Sequence, residues 1–354
     1  MKFETQRSTT AFSLKQMVKS AVLRAGILRL YASFRPPTVA ILCYHSVSDN
    51  REGQSDYIPK GITVEAHLFD EQMRILRKDY HPVTLDDIAD WMSGSKQLPP
   101  RSVAVTFDDG FEDNYTFAAP LMEKYGIFGA IYLTINAVRK DELPWFSRTI
   151  YLFEEAKRRN TILTDEELGR TWNLGNPDEN REAFVRYSNP CAAMTGEVME
   201  NYVAKLENWF GFKLDLTQGP RMMTFAQARE LRQRGHIIGN HTFSHGNMGR
   251  IPPEALEQEI AKANEILEQE LGGKSEHFSY PNPGLLYPQW NEQSLALTKQ
   301  IGFKTAVLTD AGVVTKASNP LLLQRVYIGN DDADAFRWRL DCAFAREAFA
   351  GRRV

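Results

Sequence analysis

Two short runs in this 354-residue chain bring together side chains that can do chemistry. Thr106-Phe107-Asp108-Asp109-Gly110 closes an apolar, strand-like run with two adjacent carboxylates and a turn residue. Buried carboxylates need strong partners, and parallel α/β folds build their sites at the C-terminal ends of strands. A turn at Gly110 lets successive side chains diverge, so one carboxylate can hold a metal while its neighbour reaches a reacting water. Standing alone, the run also reads as an Asx-type turn with Asp109-Gly110 as punctuation. The second run is His241-Thr-Phe-Ser-His245, directly after the strand pattern His236-Ile-Ile-Gly-Asn240. Histidines four apart converge on one ion when the backbone turns helically after a strand. An isolated pair at that spacing is commonplace as surface or core histidine. Beside Asp-Asp-Gly at another strand end it becomes specific. Two imidazoles and one carboxylate leave positions open for water and substrate, which marks a catalytic metal site.

The elements that must position these residues alternate between strand and helix patterns. Val39–Tyr44, Ser102–Phe107, Phe128–Thr134, His236–Gly239, His277–Tyr280, Phe303–Leu308 and Leu321–Ile328 read as strands. Between them lie helix patterns at Glu65–Lys78, Leu85–Met92 with Thr84 as N-cap, Asn114–Tyr125, Phe225–Arg234 and Glu254–Leu271. Such alternation predicts parallel strands with crossover helices, as a barrel or a doubly wound sheet. Residues 141–221 break the rhythm with helical stretches and turn clusters, and read as an insertion.

Composition narrows the class. The apolar fraction is 43%, the charged fraction 25% and the net charge −3, which suits a soluble globular protein and argues against a nucleic-acid partner. Cys43, Cys191 and Cys342 are far apart and predict buried free thiols rather than a disulfide framework. The first 37 residues hold an amphipathic pattern, MVKSAVLRAGILRLYA from Met17 to Ala32, interrupted by Lys19, Arg24 and Arg29. These charges argue against a secretory signal and a membrane span, and neither is expected. The segment reads either as a basic helix on a membrane surface or as a helix packed on the main domain. The expected location is cytoplasmic, with membrane association open.

At this point the chain resembles the NodB-homology polysaccharide deacetylases, carbohydrate esterase family 4. TFDDG and HTFSH are similar to the first two signature motifs of that family. The ILCYHSV strand, the MTFAQARELRQRGHIIGNHTFSH run and Phe278-Ser-Tyr-Pro-Asn-Pro-Gly284 fit it as well. The likeness covers about residues 38 to 330, apart from the insertion. It implies a distorted seven-stranded (β/α) barrel of residues 38–140 and 222–330, a helix-rich insertion at 141–221 between the two metal-binding motifs, and a C-terminal helix at 331–354. By matching positions, it implies Asp108 as catalytic base and Asp109, His241 and His245 as ligands of a divalent metal. Zinc is expected first, with cobalt, nickel or iron compatible.

Two departures from the family pattern bear on the chemistry. The usual third motif supplies an arginine that steadies the base and a backbone N–H for the oxyanion. Here Ser279 stands in place of the arginine, the Asn282 N–H is the implied oxyanion donor, and Arg325 is the candidate substitute orienter. The family's late histidine is also missing, because no histidine follows His277. His45 ends the first strand pattern, and a closed barrel would bring it beside the last strand as general acid. Tyr280, Trp145 and Arg325 are the expected substrate-side residues. The implied activity is metal-dependent removal of acetate from an N-acetylated sugar in a polysaccharide, glycolipid or lipid-linked glycan. Two other readings stand beside it: a non-catalytic, metal-containing carbohydrate-binding protein of the same fold, and a hydrolase of a small cyclic amide.

Overall fold

The computed structural model describes residues 25–28, 30, 37–49, 62–212, 220–281 and 288–350. Most of the N-terminal amphipathic segment, and Asn282, lie outside them. Among the described residues no helix is long and apolar enough to cross a membrane.

The expected strands form a closed ring. In chain order the strands are β1 (Val39–Tyr44), β2 (Ser46–Ser48), β3 (Thr63–Glu65), β4 (His81–Pro82), β5 (Ser102–Phe107), β6 (Ala130–Leu133), β7 (Ile162–Asp165), β8 (Arg170–Asn173), β9 (Ile237–Asn240), β10 (His277–Ser279), β11 (Thr305–Ala311) and β12 (Leu323–Tyr327). The main sheet runs β1-β12-β11-β10-β9-β6-β5, and β5 pairs back to β1. Its pairings are parallel, with Val39 opposite Ser102 and Cys43 opposite Tyr327. This is a seven-stranded parallel barrel, one of the two architectures the alternation allows and the one the resemblance implies. The short β4 joins the start of β5 at its edge.

Side chains sort by the period of two that pleating imposes. Ala40, Leu42, Val103, Val105, Ile131 and Leu133 face outward into a large core beneath the surrounding helices. Val39, Ile41, Ala104, Ala130, Tyr132, Val307 and Leu323 face inward. The helix α1 (Ala66–Asp79) covers the outer face, where Phe69, Met73, Ile75 and Leu76 are buried. Helix α2 (Leu85–Ser93) starts at Thr84, whose side chain accepts from the Asp87 N–H in a reciprocal capping box. Its Leu85, Ile88 and Trp91 join the inward-facing cluster at the N-terminal end of the strands. The barrel is therefore packed from below, and polar groups collect at the other end.

Two helical stretches carry π-helical turns, which the sequence pattern does not anticipate. One is Asn114–Ala118, before α3 (Ala119–Glu123). The other is Glu257–Lys262, between α9 (Pro253–Leu256) and α10 (Ala263–Leu271). In the numbering used here, α4 is Ile135–Lys140, α5 Trp145–Arg158, α6 Pro177–Ser188, α7 Gly196–Phe210, α8 Phe225–Gln233, α11 Glu292–Ile301 and α12 Ala333–Ala350.

Between α4 and α8 the chain leaves the barrel sheet. Helices α5, α6 and α7 pack around their own apolar cluster, which includes Leu152, Phe153, Trp172, Ala183 and Leu206. The antiparallel hairpin β7–β8 belongs to this region, which the sequence presents as helical with turns. Cys43 and Cys191 are buried free thiols as expected, while Cys342 is only partly buried.

Candidate active site

Strand β5 delivers Asp108 and Asp109 to the C-terminal mouth of the barrel, and the turn that follows separates them. Asp109 takes φ 76° and Gly110 φ 86°. A Cβ on Gly110 would lie 2.7 Å from Leu133 Cδ2 and 3.3 Å from Leu133 Cα, so β6 passes too close for any other residue. The turn is pinned by Thr134 N–H donating to the Asp109 carbonyl and Met223 N–H donating to that of Gly110. Asp108 stays within the barrel while Asp109 swings towards β9.

Asp108 is 1% exposed and surrounded by donors. Arg325, on β12, sends Nη1 to Oδ1 at 2.8 Å and Nη2 to Oδ2 at 2.6 Å. Ser279 Oγ donates to Oδ1 at 3.0 Å. Arg325 also donates from Nε to the Leu308 carbonyl and from Nη1 to Thr106 Oγ1. Burial works against a charge on Asp108, but Arg325 holds its carboxyl well below the usual carboxylate range. The arginine missing from the third motif is thus replaced from a different strand, and Ser279 supports it. The sequence suggests Arg325 as an orienter of this kind, and the structure places it against Asp108.

Asp109 faces the two histidines. His241 Nε2 lies 3.4 Å and His245 Nε2 3.3 Å from Asp109 Oδ1. The donor atoms of the three residues all lie within 4.8 Å of one another. Both carboxylate oxygens of Asp109 are buried without a hydrogen bond. His241 Nδ1 sits 2.8 Å from the Ser279 carbonyl. That bond makes Nδ1 the protonated nitrogen and turns the Nε2 lone pair towards Asp109, the arrangement a metal ligand needs. An orphaned buried carboxylate facing two Nε2 atoms fits a divalent cation. Burial opposes the charge on Asp109, yet the two imidazoles hold its carboxyl far below the ordinary range. In His245 burial prevails and lowers its basicity. In His241 burial is outweighed by the Asp108 and Asp109 charges, and its basicity rises.

The turn carrying the histidines is held from outside the barrel by the π-helical segment. Widening that helix frees carbonyls that a regular α-helix would use internally. The Glu259 carbonyl accepts from Phe243 N–H at 2.9 Å, and the Ile260 carbonyl accepts from Asn240 Nδ2 at 3.0 Å. The buried Glu259 carboxyl takes Ser244 N–H at 2.9 Å and Ser244 Oγ at 2.5 Å. Burial pushes that carboxyl up, against the bonds from Ser244 and Thr242. Thr242 (φ 67°) and His245 (φ 61°) sit in the left-handed region, which is costly for a β-branched residue. The cost is offset where Thr242 Oγ1 accepts from His245 N–H at 2.9 Å. Nothing in the sequence marks Glu259, which sits in an unbroken helical pattern.

His45 follows β1, next to β12. Its ring is 6.0 Å from that of Tyr327, and a ring nitrogen lies within 4.8 Å of an Asp108 oxygen and of Cys43 Sγ. Its Nδ1 is buried without a hydrogen bond. Its carbonyl accepts from Asn114 Nδ2 at 2.8 Å. His45, Asp108, Asp109, His241 and His245 all open onto one cavity of about 270 Å³. Trp145 lines it too, anchored by Nε1 donating to the His245 carbonyl at 3.2 Å. Tyr280 is a correction to the sequence reading. It is fully buried among Phe278 and Phe303, and its hydroxyl lies 3.1 Å from Thr298 Oγ1. Alternation explains this: Ser279 points inward to Asp108, so its neighbour points out. Arg325 is likewise corrected as a substrate-side residue, because it is 0% exposed and occupied with Asp108.

A seven-stranded parallel barrel of this kind is the NodB-type fold. The polysaccharide deacetylase family profile matches residues 194–306. The protein YxkH of Bacillus subtilis, provisionally named a polysaccharide deacetylase, is 21% identical over 295 residues, covering 83% of this chain and 72% of YxkH. The poly-β-1,6-N-acetyl-D-glucosamine N-deacetylase of Escherichia coli K12 is 27% identical over 128 residues, 32% of this chain and 18% of that protein. In fold, the chain is similar to the Streptococcus pyogenes deacetylase PplD, with a TM-score of 0.56 at 16% identity over 84% of this chain and 95% of PplD. The profile match and the fold thus liken this chain to the polysaccharide deacetylases.

Proposed function

We propose that this protein is a metal-dependent N-deacetylase of an N-acetylated sugar, releasing acetate and a free amine. The observation that carries the reading is the division of labour between adjacent carboxylates. Asp108 is clamped and ionised, while Asp109 is unclamped and faces two imidazoles. Asp109, His241 and His245 would hold the ion, with zinc as the first assignment and cobalt, nickel or iron compatible with the same donors. When bound, such an ion polarises an amide carbonyl and acidifies water. Asp108 then serves as general base, taking the proton of the attacking water. Arg325 and Ser279 keep its carboxylate charged and aimed. His45 protonates the departing amine, because an amide nitrogen leaves poorly without a proton. Asn282 is retained as the proposed oxyanion donor through its backbone N–H.

The clamp on Asp108 supports catalysis over simple carbohydrate binding, since a binder has no use for a fixed base. The names of the relatives support a glycan over a small cyclic amide. A peripheral membrane contact through the N-terminal segment, and a cytoplasmic location, remain part of the proposal. The test is acetate release from N-acetylated glycans and lipid-linked sugars by the metal-loaded protein, followed by mass spectrometry. Asp108→Asn should keep the metal and lose about 10²-fold or more in rate. Turnover by that variant within about tenfold of wild type would reject the assignment.

A further inference from the structure

A second group of donors stands beside the acid pair. Strand β1 turns Val39 and Ile41 inward, and the same alternation turns Cys43 inward, against Asp108. The Cys43 thiol donates to Asp108 Oδ2 at 3.7 Å. Its Sγ, a ring nitrogen of His45 and a carboxylate oxygen of Asp108 all lie within 4.8 Å of one another. His45 Nδ1 is buried and makes no hydrogen bond. Among the described residues this is one of two sets of three donors able to hold a metal, and it shares no residue with Asp109, His241 and His245. Thiolate, imidazole and carboxylate bind zinc at about 2.0–2.3 Å, so donors around one tetrahedral ion stand about 3.5 Å apart. Cys43 and Asp108 are close to that span already, and rotation of the His45 side chain closes the remainder. His45 and Asp108 also line the cavity, which gives an ion its way in.

We propose that Cys43, His45 and Asp108 form a second cation site, selective for thiophilic ions such as zinc, cadmium or cobalt, and that filling it blocks the enzyme. The ion takes the place of the thiol proton. The S–H bond breaks, its electron pair binds the ion, and the proton passes to water. The Asp108 Oδ2 lone pair that accepts from the thiol is thereby freed for the ion. Burial holds the thiol protonated, well above its usual range, so the exchange costs affinity. Arg325 adds to that cost, because its guanidinium already neutralises Asp108. Asp109 meets no such cation in its pair with the histidines, and both its oxygens lack a hydrogen bond. The order of filling follows: Asp109, His241 and His245 bind first, and the Cys43 site fills only in excess. Sulfur sets the selectivity, since magnesium, calcium and manganese prefer oxygen donors. The blockade rests on the deacetylase reading above, because an ion on Asp108 and His45 engages the proposed base and the proposed acid together.

The experiment titrates the metal-free full chain with cobalt(II), whose thiolate complexes absorb in the near ultraviolet. The first equivalent should give no thiolate band, and the second should bring it up. Cys43→Ser should abolish the band and keep the first equivalent, while Cys191→Ser/Cys342→Ser should leave the band in place. His45→Gln keeps the thiol and should weaken the second equivalent by about tenfold or more, since even the partners of a metal ligand are worth that much. That variant also carries the test should Cys43→Ser fail to fold. Excess cobalt should slow acetate release by the wild type by about 10²-fold, the scale of losing a general base, and an equal excess of magnesium should not. Cys43→Ser should resist the cobalt. No band, or a band that persists in Cys43→Ser, would overturn the site. A band with undiminished acetate release would overturn the blockade. A cysteine-dependent band in a chain that releases no acetate from any glycan would support the site and overturn the blockade together with the deacetylase reading.

Discussion

Asp108 lies in the fork of Arg325, with two parallel bonds of 2.8 and 2.6 Å, although 217 residues separate the two in sequence. Both side chains are buried, so the pair has given up its water. Removing one partner of such a pair typically costs about 3–5 kcal/mol, because the other charge is left without compensation. Arg325→Met should destabilise the barrel by about that amount, and Asp108→Asn in the same chain should recover part of it. Urea unfolding of the single and double variants measures this directly. Arg325→Lys keeps the charge and loses the fork, so kcat should fall more than KM changes. A loss below about 1 kcal/mol for Arg325→Met would put the pair in the class of exposed ion pairs and contradict the clamp.

The same pair shows what a sequence does and does not disclose. Asp108, Asp109, His241 and His245 are legible because each sits just past an apolar strand run, where α/β folds assemble sites. Arg325 is harder to read. A single arginine in Leu323–Tyr327 looks like an outward residue of an edge strand, and only closure of the ring turns it towards Asp108. Tyr280 fails for a reason visible in hindsight, since adjacent strand positions face opposite ways and Ser279 already takes the inward one. The π-helical turn at Glu257–Lys262 leaves no local trace, because the apolar spacing from Glu254 to Leu271 suits an ordinary helix. Its Glu259 and Ile260 carbonyls accept from the distant Phe243 N–H and Asn240 Nδ2, contacts that no local spacing announces.

Glu259 offers a test of that outer support. Its carboxylate and its carbonyl together bind three groups of the turn between His241 and His245. Partners that orient metal ligands typically alter affinity by about 10–100-fold when removed. Glu259→Ala should weaken metal binding by that factor, as read by competition with a chromogenic chelator. Glu259→Gln keeps one acceptor for Ser244 and should fall between. Unchanged metal affinity in Glu259→Ala, with the fold intact, would make Glu259 a packing residue only.

Asp113 carries a pH dependence whose sign can be worked out. Burial pushes its carboxyl from 3.8 up to about 7, although Ser46, the Val47 N–H and Asn114 donate to it. A group with a raised folded pKa binds its proton more tightly in the native state. Its contribution to stability is therefore complete below about pH 4 and is lost as pH rises through about 7. Asp113→Asn cannot titrate. The stability difference between wild type and variant should shift in favour of the variant as pH rises from 4 to 7, and should level off beyond. Chemical denaturation across that window checks it, and a constant difference would contradict the raised pKa.

The general acid is the assignment on which the mechanism is most exposed. His45 follows β1, whose pairing with β12 puts Cys43 opposite Tyr327. The closed ring thereby brings His45 to the edge of the cavity from the side of the late strand, and within 4.8 Å of an Asp108 oxygen. Its backbone is held by Asn114, and its Nδ1 makes no hydrogen bond, so the ring is steadied without being consumed by a structural partner. His45→Gln should fold normally and keep its metal. Amide cleavage should slow by about 10²-fold or more, the usual loss for a general acid. An activated ester should suffer far less, because its leaving group departs without a proton. The alkaline limb of the pH–rate profile for the amide should flatten in the variant. Equal losses on amide and ester would show that His45 shapes the cavity and gives no proton to the amine.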